Sequence, residues 1–246
     1  MADERYVEFL QSHGYHPRSS AHGDALCLFV LDDLLEYCES FRTAAESGRI
    51  VYDLNYNVGA GGQMSWNIDL VVGPPSDAIM AGPPVDGRIK RGSPGEIWLA
   101  VDAKSVMTEH GKARRNRQRD LNSLHDVLHR RDPKTIAAGL VVVNIASKFR
   151  SPLREGETTI HRNIERLVEG TVKMYSDLPR TSAPSEQGLD AVGVIVVNHT
   201  NLEHDTSALV SEHPAPAQGV SVHYRSFLDS ICKAFGTRFA PQIERR

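Results

Sequence analysis

Asp102 and Lys104 close an apolar run at residues 96–104 (EIWLAVDAK), and Asp69 lies inside a second run at 67–73 (NIDLVVG). Residues two apart on a strand share a face, so the Asp102 carboxylate and the Lys104 amine project together. They stand at the carboxyl end of their strand, before a polar stretch, at a sheet edge that a substrate can reach. Asp69, flanked by Ile68 and Leu70, is costly to bury unless it is paired or binds a cation. If the two strands are neighbours, the carboxylates approach closely, and like charges so placed call for a metal. Oxygen-only ligation favours Mg²⁺, with Mn²⁺ as a substitute. Such an ion beside a lysine suits phosphodiester hydrolysis: the ion polarises phosphoryl oxygens and acidifies a bound water, while the amine stabilises developing negative charge. The plainer alternative is a surface ion pair of Asp102 with Lys104, and an Asp69 that caps a turn.

The elements that must position these groups read as follows. Residues 25–47 carry Leu26, Val30, Leu34 and Tyr37 at helical spacing, after Asp24 as a cap and before Gly48 as a stop. Residues 49–58 alternate as a strand, broken by Gly59, Gly61 and Gly62, and 67–73 follow as a short buried strand. From 74 to 95 five prolines and several glycines remove all periodicity, which marks a loop or hairpin inserted between core strands. After the 96–104 strand come a helix at 112–131, a strand at 137–145, a helix at 159–175, a linker at 176–188, a strand at 191–198, a polar loop at 201–218 and a helix at 224–235. This order predicts an α/β fold: a central mixed β-sheet flanked by helices on both faces. The 246 residues fit one domain, with a core at about 25–145 and an extension at 146–246 that adds helices and a strand.

Asp69 in NIDLVVG, followed by Asp102-Ala103-Lys104 in EIWLAVDAK, resembles the PD-(D/E)xK signature of restriction-endonuclease-like nucleases. The strand and helix order over 25–145 resembles that superfamily's core. The resemblance implies that Asp69 and Asp102 are metal ligands, that the Ala103 carbonyl is a third, and that Lys104 is the catalytic lysine. It implies a Mg²⁺-dependent endonuclease acting on double-stranded DNA: a type II restriction enzyme or other bacterial defence nuclease, working as a homodimer or higher homo-oligomer. Ile68 stands where the motif has proline, and the gap from Asp69 to Asp102 is long. Many members add an acid from the first helix, for which Asp32, Asp33 and Glu36 are available. Two alternatives stand beside this reading: a nucleic-acid-binding subunit without activity, and an effector nuclease awakened by a small-molecule signal or a partner.

Lys112, Arg114, Arg115, Arg117 and Arg119 crowd the first turns of the 112–131 helix, in a chain of net charge −3. Cations there oppose the helix dipole, so local stability explains them poorly. Contact with phosphates explains them well, with Asn116 and Gln118 placed to read or position bases. Arg88, Lys90 and Arg91 of the inserted loop could likewise reach a nucleic-acid backbone, but a solvated basic stretch is the favoured reading. The histidines offer less: His199 and His204 fall in a polar loop, and His125 and His129 lack the glutamate of a zinc-protease helix. No hydrolase elbow, Walker loop or Rossmann glycine set occurs. The three cysteines, Cys27, Cys38 and Cys232, show no pairing motif and no metal-ligand spacing; Cys27 and Cys38 lie in an apolar helical pattern that reads as buried free thiols, so a reducing, cytoplasmic setting is expected. The N-terminus lacks signal-peptide order and no apolar run is long enough to span a bilayer, so no membrane partner is expected.

Overall fold

The computed structural model describes residues 1–60, 64–76, 84, 88–108, 110–154, 156–181 and 186–240. Six helices, α1 (Ala2–His13), α2 (Ala21–Tyr37), α3 (Glu39–Glu46), α4 (His110–Arg131), α5 (Ile164–Ser176) and α6 (Tyr224–Arg238), pack on a sheet. The strands are β1 (Val51–Ala60), β2 (Met64–Gly73), β3 (Lys90–Arg91), β4 (Leu99–Val106), β5 (Ile136–Asn144), β8 (Ala191–Asn198) and β9 (Ala208–Leu209). A small separate hairpin joins β6 (Lys148–Arg150) to β7 (Thr158–Ile160).

The seven strands lie in the order β3-β1-β2-β4-β5-β8-β9. β1, β2 and β4 meander antiparallel, whereas β4, β5 and β8 run parallel, so the sheet is mixed. The apolar runs explain this block: β5 is buried along its whole length, as a strand paired on both edges and covered on both faces must be. The crossovers β4-α4-β5 and β5-α5-β8 step in the same direction along the sheet. A common hand then puts both helices on one face, where Leu121, Leu124, Leu128, Ile164 and Val168 close one core. Helices α1, α2, α3 and α6 cover the other face through Leu10, Leu26, Val30, Phe41, Phe227 and Ile231. Helices on both faces of a mixed sheet are the architecture expected.

Several local expectations need correction. The 25–47 helix is two helices, because Cys38 takes an extended backbone (φ −112°, ψ 100°) and turns α3 so that Phe41, Ala44 and Ala45 reach the core. Helix α2 starts at Ala21, so Asp24 sits inside its first turn, where it accepts from Asn55 Nδ2 (2.7 Å) and Ser20 Oγ instead of capping. The 159–175 helix begins only at Ile164, after a left-handed Asn163 (φ 57°), and the residues before it form β7. The loops at 74–95 and 201–218 contribute the two-residue strands β3 and β9. Gly61 and Gly62 lie outside the described residues, as does most of 77–87.

Cys38 and Cys232 are joined as a disulfide (Cα–Cα 5.5 Å), against the expectation of unpaired thiols. They are 194 residues apart in sequence, and only the docking of α6 beside the α2–α3 junction brings them together. Cys27 is free and buried, as expected. Among the described residues no helix is long and apolar enough to cross a membrane.

Candidate active site

The β2–β4 ladder pairs Val72 with Leu99, Val71 with Ala100 and Leu70 with Val101, and then stops. β4 runs on for five more residues, held from the other side by β5 through Val106. β2 is irregular at the same level on its outer edge, where Leu54 pairs with Leu70 and Tyr56 with Ile68 around a left-handed Asn55 (φ 54°). Asp69 and Asp102 are the first residues past the split between β2 and β4.

At this split the three residues singled out from sequence come together. Asp69 Oδ2 accepts the backbone N–H of Ala103 at 2.7 Å, which fixes its carboxylate against β4. Lys104 Nζ donates to Asp102 Oδ1 and lies 3.7 Å from Asp69 Oδ2. Asp102 is fully buried, while the Asp69 and Lys104 side chains keep 19% and 17% of their surface, enough to face a substrate. Burial pushes the Asp102 carboxyl up to about 7; Lys104 pulls it down and Asp69 pushes it further up. Burial works to lower Lys104, but the two carboxylates outweigh it and the amine is held above its usual value, protonated. Cys27, beneath the cluster on α2, is held as a neutral thiol, first by burial and then by the charges of Asp69 and Asp102.

Asp102 Oδ2 is buried without any hydrogen-bond partner. An orphaned carboxylate oxygen beside a second carboxylate is the arrangement a hard cation satisfies. Among the described residues no set of three or more His, Cys, Asp or Glu side chains is gathered for a metal. The donors present are therefore the two carboxylates of Asp69 and Asp102, which fits Mg²⁺, an ion that commonly takes one or two carboxylates and keeps several waters.

The first-helix acids are engaged elsewhere. Asp32 pairs with Arg5 (2.9 Å) and Arg88 (3.2 Å); Asp33 pairs with Arg5 (2.7 Å) and accepts from Ala2 N and Tyr224 Oη; Glu36 is exposed. The α2 acid whose field reaches this region is Asp24, which acts on Cys27 together with Asp69 and Asp102. Its place two turns before Asp32 and Asp33, in the first turn of α2, was the available signal.

The basic residues of α4 divide among three directions. Lys112, Arg115 and Arg119 are exposed and form no ion pair with a described acid. Arg117 contacts Asp120 (3.3 Å), and its charge bears on Lys104. Arg114 turns inward against α5, where a Cβ on Gly170 would sit 3.1 Å from its Nη1, and Gln118 is half-buried four residues on. Beside the carboxyl end of β4 lies a cleft of about 250 Å³, walled on one side by Lys112, Asn116 and Arg117. Tyr15, Ser105 and Phe149 are among the residues that line the rest of it, and sequence reading singled out none of these three. The histidines serve structure: His199 bonds Ser207 Oγ and Asn201 Oδ1, while His125 and His129 contact backbone carbonyls. Compared with family models, with curated proteins and with solved structures, the chain matches none.

Proposed function

We propose that this chain is a Mg²⁺-dependent endonuclease that hydrolyses phosphodiester bonds in DNA on a restriction-endonuclease-like core. The observation that carries the reading is the convergence of Asp69, Asp102 and Lys104 where β2 leaves β4, with Asp102 Oδ2 left unpartnered. With the short α3 and β3 set aside, the order α2-β1-β2-β4-α4-β5 supports it, since this is the succession of helix, three strands, helix and strand that the resemblance implies.

In this reading Asp69 and Asp102 hold the ion, with the Ala103 carbonyl as third ligand. When bound, Mg²⁺ or Mn²⁺ supplies a Lewis acid for the phosphoryl oxygen and a more acidic water. Lys104, kept protonated by its two carboxylates, places a positive charge where the phosphoryl oxygens gain negative charge. Lys112, Arg115 and Arg117 hold the strand through its phosphates. A two-fold assembly would match a palindromic duplex site.

The test is incubation of the pure protein with supercoiled plasmid in Mg²⁺ and in EDTA. Nicking or linearisation in Mg²⁺ alone is expected, falling at least ~100-fold in Lys104→Ala with binding to the plasmid retained. Cleavage that persists at the parent rate in both Lys104→Ala and Asp102→Asn would remove the assignment.

A further inference from the structure

Resting on the nuclease reading, the cleft beside β4 narrows down what the substrate must look like. Its Tyr15 wall is fixed before anything binds. The Tyr15 N–H donates to Asn201 Oδ1 (2.7 Å), Asn201 Nδ2 donates back to the Tyr15 carbonyl (3.0 Å), and the hydroxyl shares a 2.7 Å hydrogen bond with Ser105 Oγ. His22 backs the ring at 4.7 Å between centroids, and Phe149 meets it edge-on at 6.2 Å. A ring immobilised in this way loses little freedom when a planar group stacks on it, and base–aromatic stacking tolerates any base.

The facing wall is α4. Lys112 and Asn116 are exposed one turn apart, Arg117 adds a second cation, and no Asp or Glu is among the described residues that line the cleft. Cations suit a phosphate, and an asparagine can pair with a base edge. Ser105 follows Lys104 on β4, and the charge of Arg117, another lining residue, bears on Lys104, so the cleft lies at the same end of β4 as the amine, although Lys104 itself does not line it. A space of about 250 Å³ is on the scale of a single base and not of a duplex.

We propose that this cleft receives one unpaired nucleotide of the DNA strand, its base against Tyr15 and Asn116 and its phosphate between Lys112 and Arg117. The preferred substrate is then a duplex interrupted by an unpaired base next to the scissile bond, because such a base is already out of the stack and costs least to capture.

The test measures binding by fluorescence anisotropy in the Asp102→Asn background, so that no DNA is cut. A fully paired labelled duplex is compared with the same duplex carrying one bulged nucleotide, and free dAMP serves as competitor. The bulged duplex is expected to bind on the order of tenfold more tightly, the weight of one stacked base. Tyr15→Ala and Asn116→Ala should erase that ratio, and Tyr15→Phe, which keeps the ring and loses the Ser105 bond, should preserve most of it. The ratio is insensitive to a general loss of folded protein, which weakens both duplexes alike. Equal affinity for the two duplexes, or an advantage unchanged in Tyr15→Ala, overturns the proposal, and so does dAMP competing as tightly as the bulged strand. If the duplexes bind equally and the parent protein still cuts DNA in Mg²⁺, the cleft proposal alone has failed. If neither duplex binds, the nuclease reading fails with it.

Discussion

Asp102→Asn replaces a fully buried carboxyl with an amide of the same shape, and so isolates what the charge does there. Burial raises this carboxyl from 3.8 to about 7. In the unfolded chain it ionises near its ordinary value, so between those two pH values the native state binds the proton more tightly. Stability from this group is therefore complete below pH 3.8 and is lost as the pH rises towards 7. At 1.36 kcal/mol per pH unit, the loss is about 4 kcal/mol over the interval, and about 3 kcal/mol between pH 4.5 and 7.

The assay is urea unfolding in EDTA at a series of pH values from 4.5 to 8.5, read as parent minus Asp102→Asn. The difference matters because His22, His110, His129, His161 and His199 are all pushed down by burial. Their contribution has the opposite sign: it is present above pH 6.5 and lost as the pH falls, equally in both proteins. Lys104 loses one of its two carboxylate partners in the variant and keeps Asp69, so the change with pH is compared rather than the absolute difference. The parent should lose about 3 kcal/mol relative to the variant as pH climbs to 7. At pH 8, 10 mM Mg²⁺ should return roughly 1.4 kcal/mol to the parent for a dissociation constant on the order of 1 mM, and nothing to the variant. Parallel pH curves, or an equal Mg²⁺ gain in both proteins, would refute the reasoning.

Arg238→Ala should cost about 3–5 kcal/mol by urea unfolding, because Arg238 and Asp190 are a buried pair with side chains only 6% and 2% exposed. A loss under about 1 kcal/mol would mean that Asp190 finds another partner or a proton. Asn144→Ala should cost at least about 2 kcal/mol and slow cleavage too. Its side chain donates to the carbonyls of Met107 and His199 and accepts from the N–H groups of Ala146 and His199, tying together the loops at the carboxyl ends of three strands. Unchanged cleavage in a destabilised Asn144→Ala would separate that hub from the site.

What was readable in the sequence is what local pattern can encode. β5 and β8 are apolar runs and α4 and α6 carry a clear apolar stripe, so the type of each element was legible. Asp102 and Lys104 were readable because two-residue spacing on a strand forces a shared face. Helix α1 was hidden, although Tyr6, Val7 and Leu10 are buried, because charged residues between them dilute the stripe. The break at Cys38 involves neither proline nor glycine; the packing of α3 under α6 imposes it. β3, β6, β7 and β9 are two or three residues long and exist only through their pairing partners. Asp32 and Asp33 looked available because nothing local announces that Arg5, from the unread α1, claims both. Tyr15 reaches the cleft through Asn201, 186 residues away.

Three buried aspartates in this protein show why the Asp102 site differs from an ordinary internal ion pair. Asp33 gives Oδ1 to Arg5 and Oδ2 to both the Ala2 N–H and the Tyr224 hydroxyl. Asp190 gives Oδ1 to Arg238 and Oδ2 to the Ala137 N–H. Both follow the rule that a carboxylate survives burial when each oxygen is hydrogen-bonded, and both tie distant elements together. Asp102 is at least as buried, yet Lys104 serves one oxygen and nothing serves the other. The split of β2 from β4 takes away the neighbouring strand that could have supplied a donor, and it brings in a second carboxylate instead. A site shaped for stability alone would place an apolar residue or an asparagine at position 102. The nuclease proposal gives the acid there, half-satisfied and facing Asp69, a reason: a cation would take its free oxygen.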